Sequence, residues 1–351
     1  MALLPLLTFM GMLFGAIDAE LVFVGDAMQH QAQLDAARRP GGEWDYSECF
    51  EAVAPWFKIA DLAVVNLETP VGPGPHSGYP CFNAPEHFVH ALRDAGFDIF
   101  LTANNHTLDR RDRGLRRTIE VLDSNDIPHL GTYHDAAARD TLLPCIRSVN
   151  GIRIGFLNYT YGTNGIEARD GAHVDYIDRQ VMAADIDAAR KAGAEIMCVC
   201  MHWGDEYRML PNAEQRDLAD WLQQQGVELI IGSHPHVVQP IELREGKDGR
   251  RCLVVYSLGN FISNMRTRDT RGGLAVAVRL VRRPDGTVEV ADAGWQLHFT
   301  EPAGGGRNYR VVDAYESKDA RAAAFREAAQ RIFAGHNRGV ERLGPTRWLF
   351  R

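Results

Sequence analysis

Three features of this 351-residue sequence predict an α/β fold built on a largely parallel sheet. Short apolar runs rich in β-branched residues alternate with longer segments of helical periodicity between Glu20 and Asn260. Six of those runs end in a carboxylate, an amide or an imidazole, which is where open α/β sheets hold their ligands. Beyond Asn260 the pattern turns antiparallel: Gly273–Val281 and Thr287–Phe299 alternate around the turn Pro284-Asp-Gly286.

Taken in order, Glu20–Val24 is a strand ending at Gly25-Asp26, and a loop with Pro40-Gly-Gly42 leads to a helix over Tyr46–Phe57. Leu62–Val65 ends at Asn66-Leu-Glu68, and Pro70–Pro75 carries too much Pro and Gly to be regular. Pro85–Ala95 reads as a helix with Pro in its first turn. Asp98–Leu101 runs into Asn104-Asn105-His106, followed by a helix over about Arg111–Ser124 and a short strand at Ile127–Leu130. Asn150-Gly151 joins Leu143–Val149 to Ile152–Tyr159 as a hairpin, because both turn residues tolerate positive φ. Helices over Arg179–Ala192 and Asn212–Gln225, closed by Gly193 and Gly226, each lead into a strand. Those strands are Ile196–Met201, ending at His202, and Val227–Ile231, ending at Gly232-Ser-His-Pro-His236. Cys252–Tyr256 delivers Ser257 to Asn260. Pro302–Gly306 reads as a linker and Lys318–Phe333 as an amphipathic helix.

The chain is 45% hydrophobic, enough for a sizeable core, and length alone allows two domains. A net charge of −8 argues against nucleic acid as the partner, since such binders carry a basic face. The six cysteines are scattered without a CxxC pair, so no disulfide framework is expected. Ala2–Ile17 is apolar, charge-free and too short for an ordinary membrane span. It fits the apolar part of a signal or an anchor, although no Lys or Arg precedes it. The expectation is therefore an exported or membrane-anchored protein facing outside. The alternatives are a mis-assigned start and a cytoplasmic protein.

His234 and His236 flank Pro235, and in an extended segment residues i and i+2 point the same way. Two imidazoles aimed at one point make half of a metal site; the other reading is a polar turn whose histidines only form hydrogen bonds. Recurrence decides between them. Asp26, Glu68, Asn105, His106, His202, His234 and His236 all fall at strand ends, and all are metal-compatible. Nitrogen and oxygen donors without an obvious thiolate suit Mn, Fe or Zn, one ion or two. A carboxylate bridging two ions about 3.5–4 Å apart suits displacement at phosphorus or at an acyl carbon. Ser233 and Ser257 lack the Gly-x-Ser-x-Gly context of a nucleophile elbow, and no P-loop is present.

These motifs resemble a known family. Gly25-Asp26, Asn66–Thr69, Ala103–His106 with Asp109, His202–Gly204 with Glu206-Tyr207, Gly232–Val237 and Tyr256–Phe261 are similar to the CapA-type poly-γ-glutamate capsule biosynthesis proteins of the calcineurin-like metallophosphatase superfamily. The resemblance covers roughly Glu20–Phe299. It implies a four-layer αββα sandwich, two facing mixed β-sheets flanked by helices. It also implies that Asp26 and His236 hold a first metal, that Glu68 bridges, and that Asn105, His202 and His234 hold a second. His106 would protonate the leaving group or stabilise the transition state. Asn66, Asn104 and Asn260 would line the substrate site. Two positions depart from the wider superfamily: Met28 stands where its first motif has His, so that His30 or water must complete the first metal, and Glu68 stands where Asp is usual.

The domain division expected is residues 1–19 as signal or anchor, 20–300 as the CapA-like domain and 301–351 as a C-terminal extension with one helix. The function expected is a metal-dependent hydrolase-like protein acting in synthesis, release or export of poly-γ-glutamate or a related capsular polyanion. The bond attacked would be an amide or a phosphoester. The alternatives are a phosphoesterase on a small phosphoester and a non-catalytic, polymer-binding partner of a membrane synthase complex. Arg110 and Arg111 are not explained by the resemblance, whose pattern has an aromatic and a Gly there. They form either a solvated helix face balanced by Asp112 and Glu120 or a positive rim that steers an anionic polymer or a small anionic substrate. Trp203 and Tyr207 line the pocket or pack in the core, and the sequence leaves both open.

Overall fold

Alternation along the first strand fixes the layering. In a computed structural model describing residues 18–246 and 249–344, β1 (Asp18–Ala27) sends Leu21 and Phe23 into one core and Val22 and Val24 into another. A strand buried on both faces lies between two layers. β2 (Leu62–Leu67), β3 (Ile99–Leu101) and β4 (His129–Leu130) add to it in parallel. Their connections carry α1 (Gln31–Ala37), α2 (Ala54–Lys58), α3 (Glu86–Ala95) and α4 (Arg111–Ser124). Phe57 of α2 and Phe88, Val89 and Leu92 of α3 cover the Val22 and Val24 face.

The chain then builds a second sheet. β5 (Thr132–Tyr133) leads through α5 (Ala136–Leu142) to the hairpin of β6 (Cys145–Val149) and β7 (Ile152–Thr160), and later pairs with β8 (His173–Val174). Asn150 (φ 47°) and Gly151 (φ 80°) turn the hairpin in the left-handed region, as the dipeptide predicts. After α6 (Arg179–Lys191), β9 (Ile196–His202), α7 (Ala213–Gln224), β10 (Leu229–Ser233), β11 (Ile241–Glu245) and β12 (Arg251–Val255), this sheet has the order β11-β12-β10-β9-β7-β6. Its four inner strands are parallel and its two edge strands antiparallel.

The last elements return to the first sheet. β13 (Asn260–Ile262) pairs with the end of β1, while β14 (Gly272–Arg282), β15 (Val288–Glu301), β16 (Arg310–Asp313) and the short β17 (Glu341–Arg342) extend its far side. Leu21, Phe23 and Val276 of this sheet share one core with Phe156, Cys198, Ile231 and Val255 of the other. On the outer side of the second sheet, Val199, Met201 and Ile230 pack under Met182 and Ile186 of α6 and Leu218 and Leu222 of α7. The order helix–sheet–sheet–helix is the four-layer sandwich. Cys198 and Cys200 point into its centre and all six cysteines are free thiols. α8 (Ala320–His336) brings Phe325 and Phe333 to the central core, with Phe333 edge-on to Trp295 at 4.7 Å. The apolar segment Ala2–Ile17 lies outside the described residues; no described helix is long and apolar enough to cross a membrane.

Two helices differ from expectation. The one expected over Tyr46–Phe57 is reduced to Ala54–Lys58, preceded by separate turns in which Cys49 donates to Tyr46 and Val53 to Phe50. Pro55 explains the break, since it has no N–H to give to Glu51 and its ring crowds that carbonyl. α1 was not expected. Its N-cap is His30, whose N–H donates to Gln33 Oε1 at 2.9 Å, and a His in that place gives no start signal in the sequence.

His298 on β15 is fully buried, edge-on to Phe261 at 5.3 Å, and neither ring nitrogen has a hydrogen-bond partner among the described residues. Burial drives its imidazole down from 6.5 to about 3, with the Leu274 backbone only partly offsetting it. The folded state therefore refuses a proton that the unfolded chain accepts between those two values, and stability falls as the pH drops through that window. Replacing His298 by Leu is expected to remove up to about 1.4 kcal/mol per pH unit of that slope. Urea midpoints at pH 4 to 7 check this; an unchanged slope would contradict it.

Candidate metal centre

The two sheets aim their strand ends at one place. From the first come Asp26 on β1, Asn66 on β2 with Glu68 just past it, Asn104–His106 after β3, and Asn260 opening β13. From the second come His202 at the end of β9 and His234 and His236 after β10. All ten side chains are buried. Backbone contacts that only glycine permits let these ends approach. A Cβ on Gly25 would stand 1.8 Å from the Gly259 carbonyl oxygen, and one on Gly232 would stand 2.1 Å from that of Tyr256. Asn158 of β7 accepts the Ala103 N–H at 2.8 Å, so the second sheet pins the turn that carries Asn105 and His106.

The segment Ser233–His236 is not extended, as the sequence suggested. His234 has φ 100° and His236 has φ 58°, so both histidines beside Pro235 occupy conformations that L-residues avoid. Such positions cost about 1–3 kcal/mol each and persist only where the surroundings hold them. Here Trp203 N–H donates to Ser233 O at 3.1 Å and Tyr207 N–H to Pro235 O at 2.9 Å. The result still brings the two rings to 5.9 Å between centroids, by a fold in the chain rather than by strand alternation.

Charge is divided unevenly within the cluster. His236 Nδ1 lies 3.1 Å from Asp26 Oδ2 and 2.9 Å from Asn260 Oδ1. Asn66 Nδ2 donates to Asp26 Oδ1 at 2.8 Å and to Glu68 Oε2 at 3.3 Å. Burial works against the Asp26 carboxylate, yet its hydrogen bond to His236 and that imidazole's charge hold it below the usual range. Burial likewise opposes charge on His236, and Asp26 outweighs it and raises it. Glu68 is pushed well above the carboxylate range, by burial first and then by the Asp26 charge. Burial and the neighbouring imidazoles hold His202 well below its ordinary value and His234 down to about 3.

The residues fit a divalent cation. Glu68 Oε1 and His234 Nδ1 are buried and have no hydrogen-bond partner among the described residues. Glu68 Oε1 stands 3.7 Å from His236 Nε2 and 3.8 Å from His202 Nε2, too far for hydrogen bonds. Metal–donor bonds of about 2.0–2.2 Å place neighbouring donor atoms roughly 3–3.5 Å apart, close to this spacing. Among the described residues, three groups of donors meet the geometry: Asp26, Glu68 and His236; Glu68, His202 and His234; and Glu206, His234 and His236. Glu68 is common to the first two, the place of a bridge. Asn105 Oδ1 lies 2.9 Å from His202 Nε2 and extends the second.

The other candidates fall at different distances from chemistry. His106 Nδ1 is 2.9 Å from Asp109 Oδ2, which also accepts the Phe82 N–H at 2.8 Å. Asn104 is tied to the backbone: its Nδ2 donates to Leu67 O at 2.9 Å and its Oδ1 accepts the His106 N–H at 3.1 Å. Met28 is buried, and His30 belongs to none of the three donor groups, its Nδ1 lying 3.2 Å from Gln33 Oε1 and 3.3 Å from Asn264 N. Arg110 donates to Phe82 O at 3.3 Å and to Ser77 Oγ, whereas Arg111 is exposed at the start of α4 with φ 55°.

Comparison with known proteins shows the family. The model of the bacterial capsule synthesis protein family PGA_cap matches residues 20–265. The chain belongs to that family. It is 28% identical over 289 residues to the PGA biosynthesis protein CapA of Bacillus subtilis, covering 80% of this chain and 72% of that one. It is also 28% identical over 264 residues to the capsule biosynthesis protein CapA of Bacillus anthracis, covering 71% and 62%. Among solved structures, Haemophilus influenzae NAD nucleotidase (NadN) superposes with a TM-score of 0.50 at 12% identity, over 93% of this chain and 57% of that chain. That last likeness concerns the fold alone.

Tyr161 and Glu206 were given no role from the sequence, and Tyr207 and Trp203 were left open. Tyr161 is 49% exposed, with its ring 4.6 Å from His234 and stacked on His202 at 6.4 Å. It follows the end of β7, and the strand-end rule applied to that run would have found it. Glu206 is exposed and meets His234 and His236. Tyr207 is 53% exposed, 6.3 Å from His236, and lines the opening. Trp203 is core: it is buried, stacks on Tyr256 and donates Nε1–H to Tyr256 O at 2.9 Å.

Proposed function

We propose that this protein is a metal-dependent hydrolase of capsular polyanion assembly, acting on poly-γ-glutamate or a related polymer in its synthesis, release or export. The observation that carries the reading is the buried convergence of Asp26, Glu68, His202, His234 and His236, with the Glu68 Oε1 and His234 Nδ1 atoms unpartnered. Such a set is costly to bury without a cation and well suited to one. One or two Mn, Fe or Zn ions, when bound, would polarise the scissile group and activate water. The chain's own residues do the rest. Asp109 fixes His106 through Nδ1, leaving Nε2 for proton transfer to a leaving group. Asn66 and Asn260 orient the carboxylate and imidazole ligands through their amides. Tyr161 and Tyr207 flank the opening with surfaces that restrict water.

The relatives named for PGA and capsule biosynthesis support the polymer as substrate. A polymer-binding partner of a synthase without turnover is the second reading, and Met28 favours it, because the first metal loses an imidazole. Outward-facing placement, free or anchored, follows from a polymer assembled for the surface. The test is metal analysis joined to a hydrolysis panel of aryl phosphates, phosphodiesters and γ-glutamyl amides. The expected result is at least one Mn, Fe or Zn ion per chain and turnover of the γ-glutamyl amides. Turnover of phosphoesters alone would make it a phosphoesterase; bound metal with no turnover would leave the binding role.

A further inference from the structure

A second cavity lies beside the stretch that covers His106. Arg110 Nε donates to Phe82 O at 3.3 Å, and the Phe82 ring meets His106 edge-on at 4.6 Å. Arg110 therefore braces the stretch that covers His106. The same arginine lines a cavity of about 570 Å³ between the loop Val71–Pro75 and α4, together with Arg113, Arg116 and Arg117. Asn83 Nδ2 ties the Pro73 and Pro75 carbonyls at 2.9 Å each, which holds the loop wall in place.

The charges in this cleft are not balanced. Arg117 meets Glu86 and, at 3.2 Å, Glu120. Arg116 donates only to carbonyls, those of His134 at 3.2 Å and Asp170 at 2.5 Å. Arg110 donates only to a carbonyl and a hydroxyl. Arg113 is exposed and has no hydrogen bond or ion pair among the described residues. Asp112, which the sequence offered as a balancing acid, is turned away and buried. Its carboxylate accepts the backbone N–H groups of Arg169, Asp170 and Ala172 at 3.0, 2.9 and 3.1 Å. Among the described residues, three guanidinium groups thus line one cleft without a carboxylate partner, on a chain of net charge −8. Low-dielectric walls concentrate that field, and the guanidinium fork matches carboxylates.

We propose that the cleft binds the side carboxylates of an anionic polymer chain, a polycarboxylate of the glutamate-polymer class, and guides it to the metal centre. This rests on the polymer reading above. Three full-length proteins test it: the parent, Arg113→Glu, and Arg331→Glu, which makes the same charge change on the exposed face of α8. Binding of poly-γ-glutamate is measured by calorimetry at low and high salt. Arg113→Glu is expected to weaken binding about tenfold at ~20 mM salt, with the loss shrinking to under about twofold at ~0.5 M as screening takes over. Arg331→Glu is expected to change it by less than about twofold. Hydrogen exchange should slow in Val71–Pro75 and α4 when polymer is added. Equal binding by the parent and Arg113→Glu would overturn the cleft and leave the polymer reading standing. An equal loss in both variants would reduce the effect to bulk charge and also overturn the cleft. No binding by the parent at either salt would overturn both.

Discussion

Replacing His106 by Ala is expected to lower turnover by about 10²- to 10⁴-fold while metal content stays at the parent's level. The two outcomes separate because His106 stands outside the three groups of metal-donor residues. Its Nδ1 is taken by Asp109, so the imidazole is held by a carboxylate, as a proton-transferring group needs to be. Asp109→Asn provides the second measurement. The amide can still offer an oxygen to Nδ1 and to the Phe82 N–H, so the loop over His106 keeps its form. The expected fall is smaller than for His106→Ala, and it appears in kcat rather than KM, as for a group that positions another. Measured on the substrate that the parent turns over best, these variants rank the roles. Loss of metal from His106→Ala to the extent seen in His202→Ala would make His106 a ligand instead.

Much of the centre was legible because strand ends in an open sheet are predictable places. Asp26, Glu68, Asn105, His202, His234 and His236 each follow an apolar run, and the fold brings all six together. The four layers were legible through the family resemblance; in the structure Leu21 and Phe23 fall on one side of β1 and Val22 and Val24 on the other, which sets that strand between two layers. What escaped depends on side chains without a periodic signature. Glu206 reaches the centre from a loop, where no period assigns a direction. The positive φ values of His234 and His236 come from packing around Pro235, and a His-Pro-His string equally allows an extended path. Asp112 reads as part of a charged helix face, yet three backbone amides some 57 to 60 residues further on claim its carboxylate. The helix expected over Tyr46–Phe57 shows the reverse case. There a local rule, the intolerance of a helix interior for Pro55, was present in the sequence and outweighed the apolar pattern.

Converting Glu68 to Gln is expected to change stability in opposite directions with and without metal. Glu68 is fully buried, its Oε1 has no hydrogen-bond partner among the described residues, and Asp26 stands beside it. Burial and that neighbour push its carboxyl well up, so the folded state carries either an opposed charge or a misplaced proton. A neutral amide of the same size removes that opposition and can still face the Asn66 amide through its oxygen. The metal-free variant should therefore be more stable than the metal-free parent by about 1–3 kcal/mol, the usual cost of leaving a buried polar group unsatisfied. Metal reverses the order. A ligand that binds only the folded state stabilises it by about 2.7 kcal/mol at one hundred times its dissociation constant, and the parent gains this in full. The variant has lost the anionic donor common to the Asp26–His236 and His202–His234 groups, so its gain should be small. Denaturant melts of both proteins, stripped by chelator and then titrated with Mn, Fe and Zn, read the two effects separately. A stripped variant less stable than the stripped parent would mean that Glu68 is structurally satisfied without a cation. A variant that gains as much as the parent on titration would remove Glu68 from the ligand set and with it the bridge between the two sheets' donors.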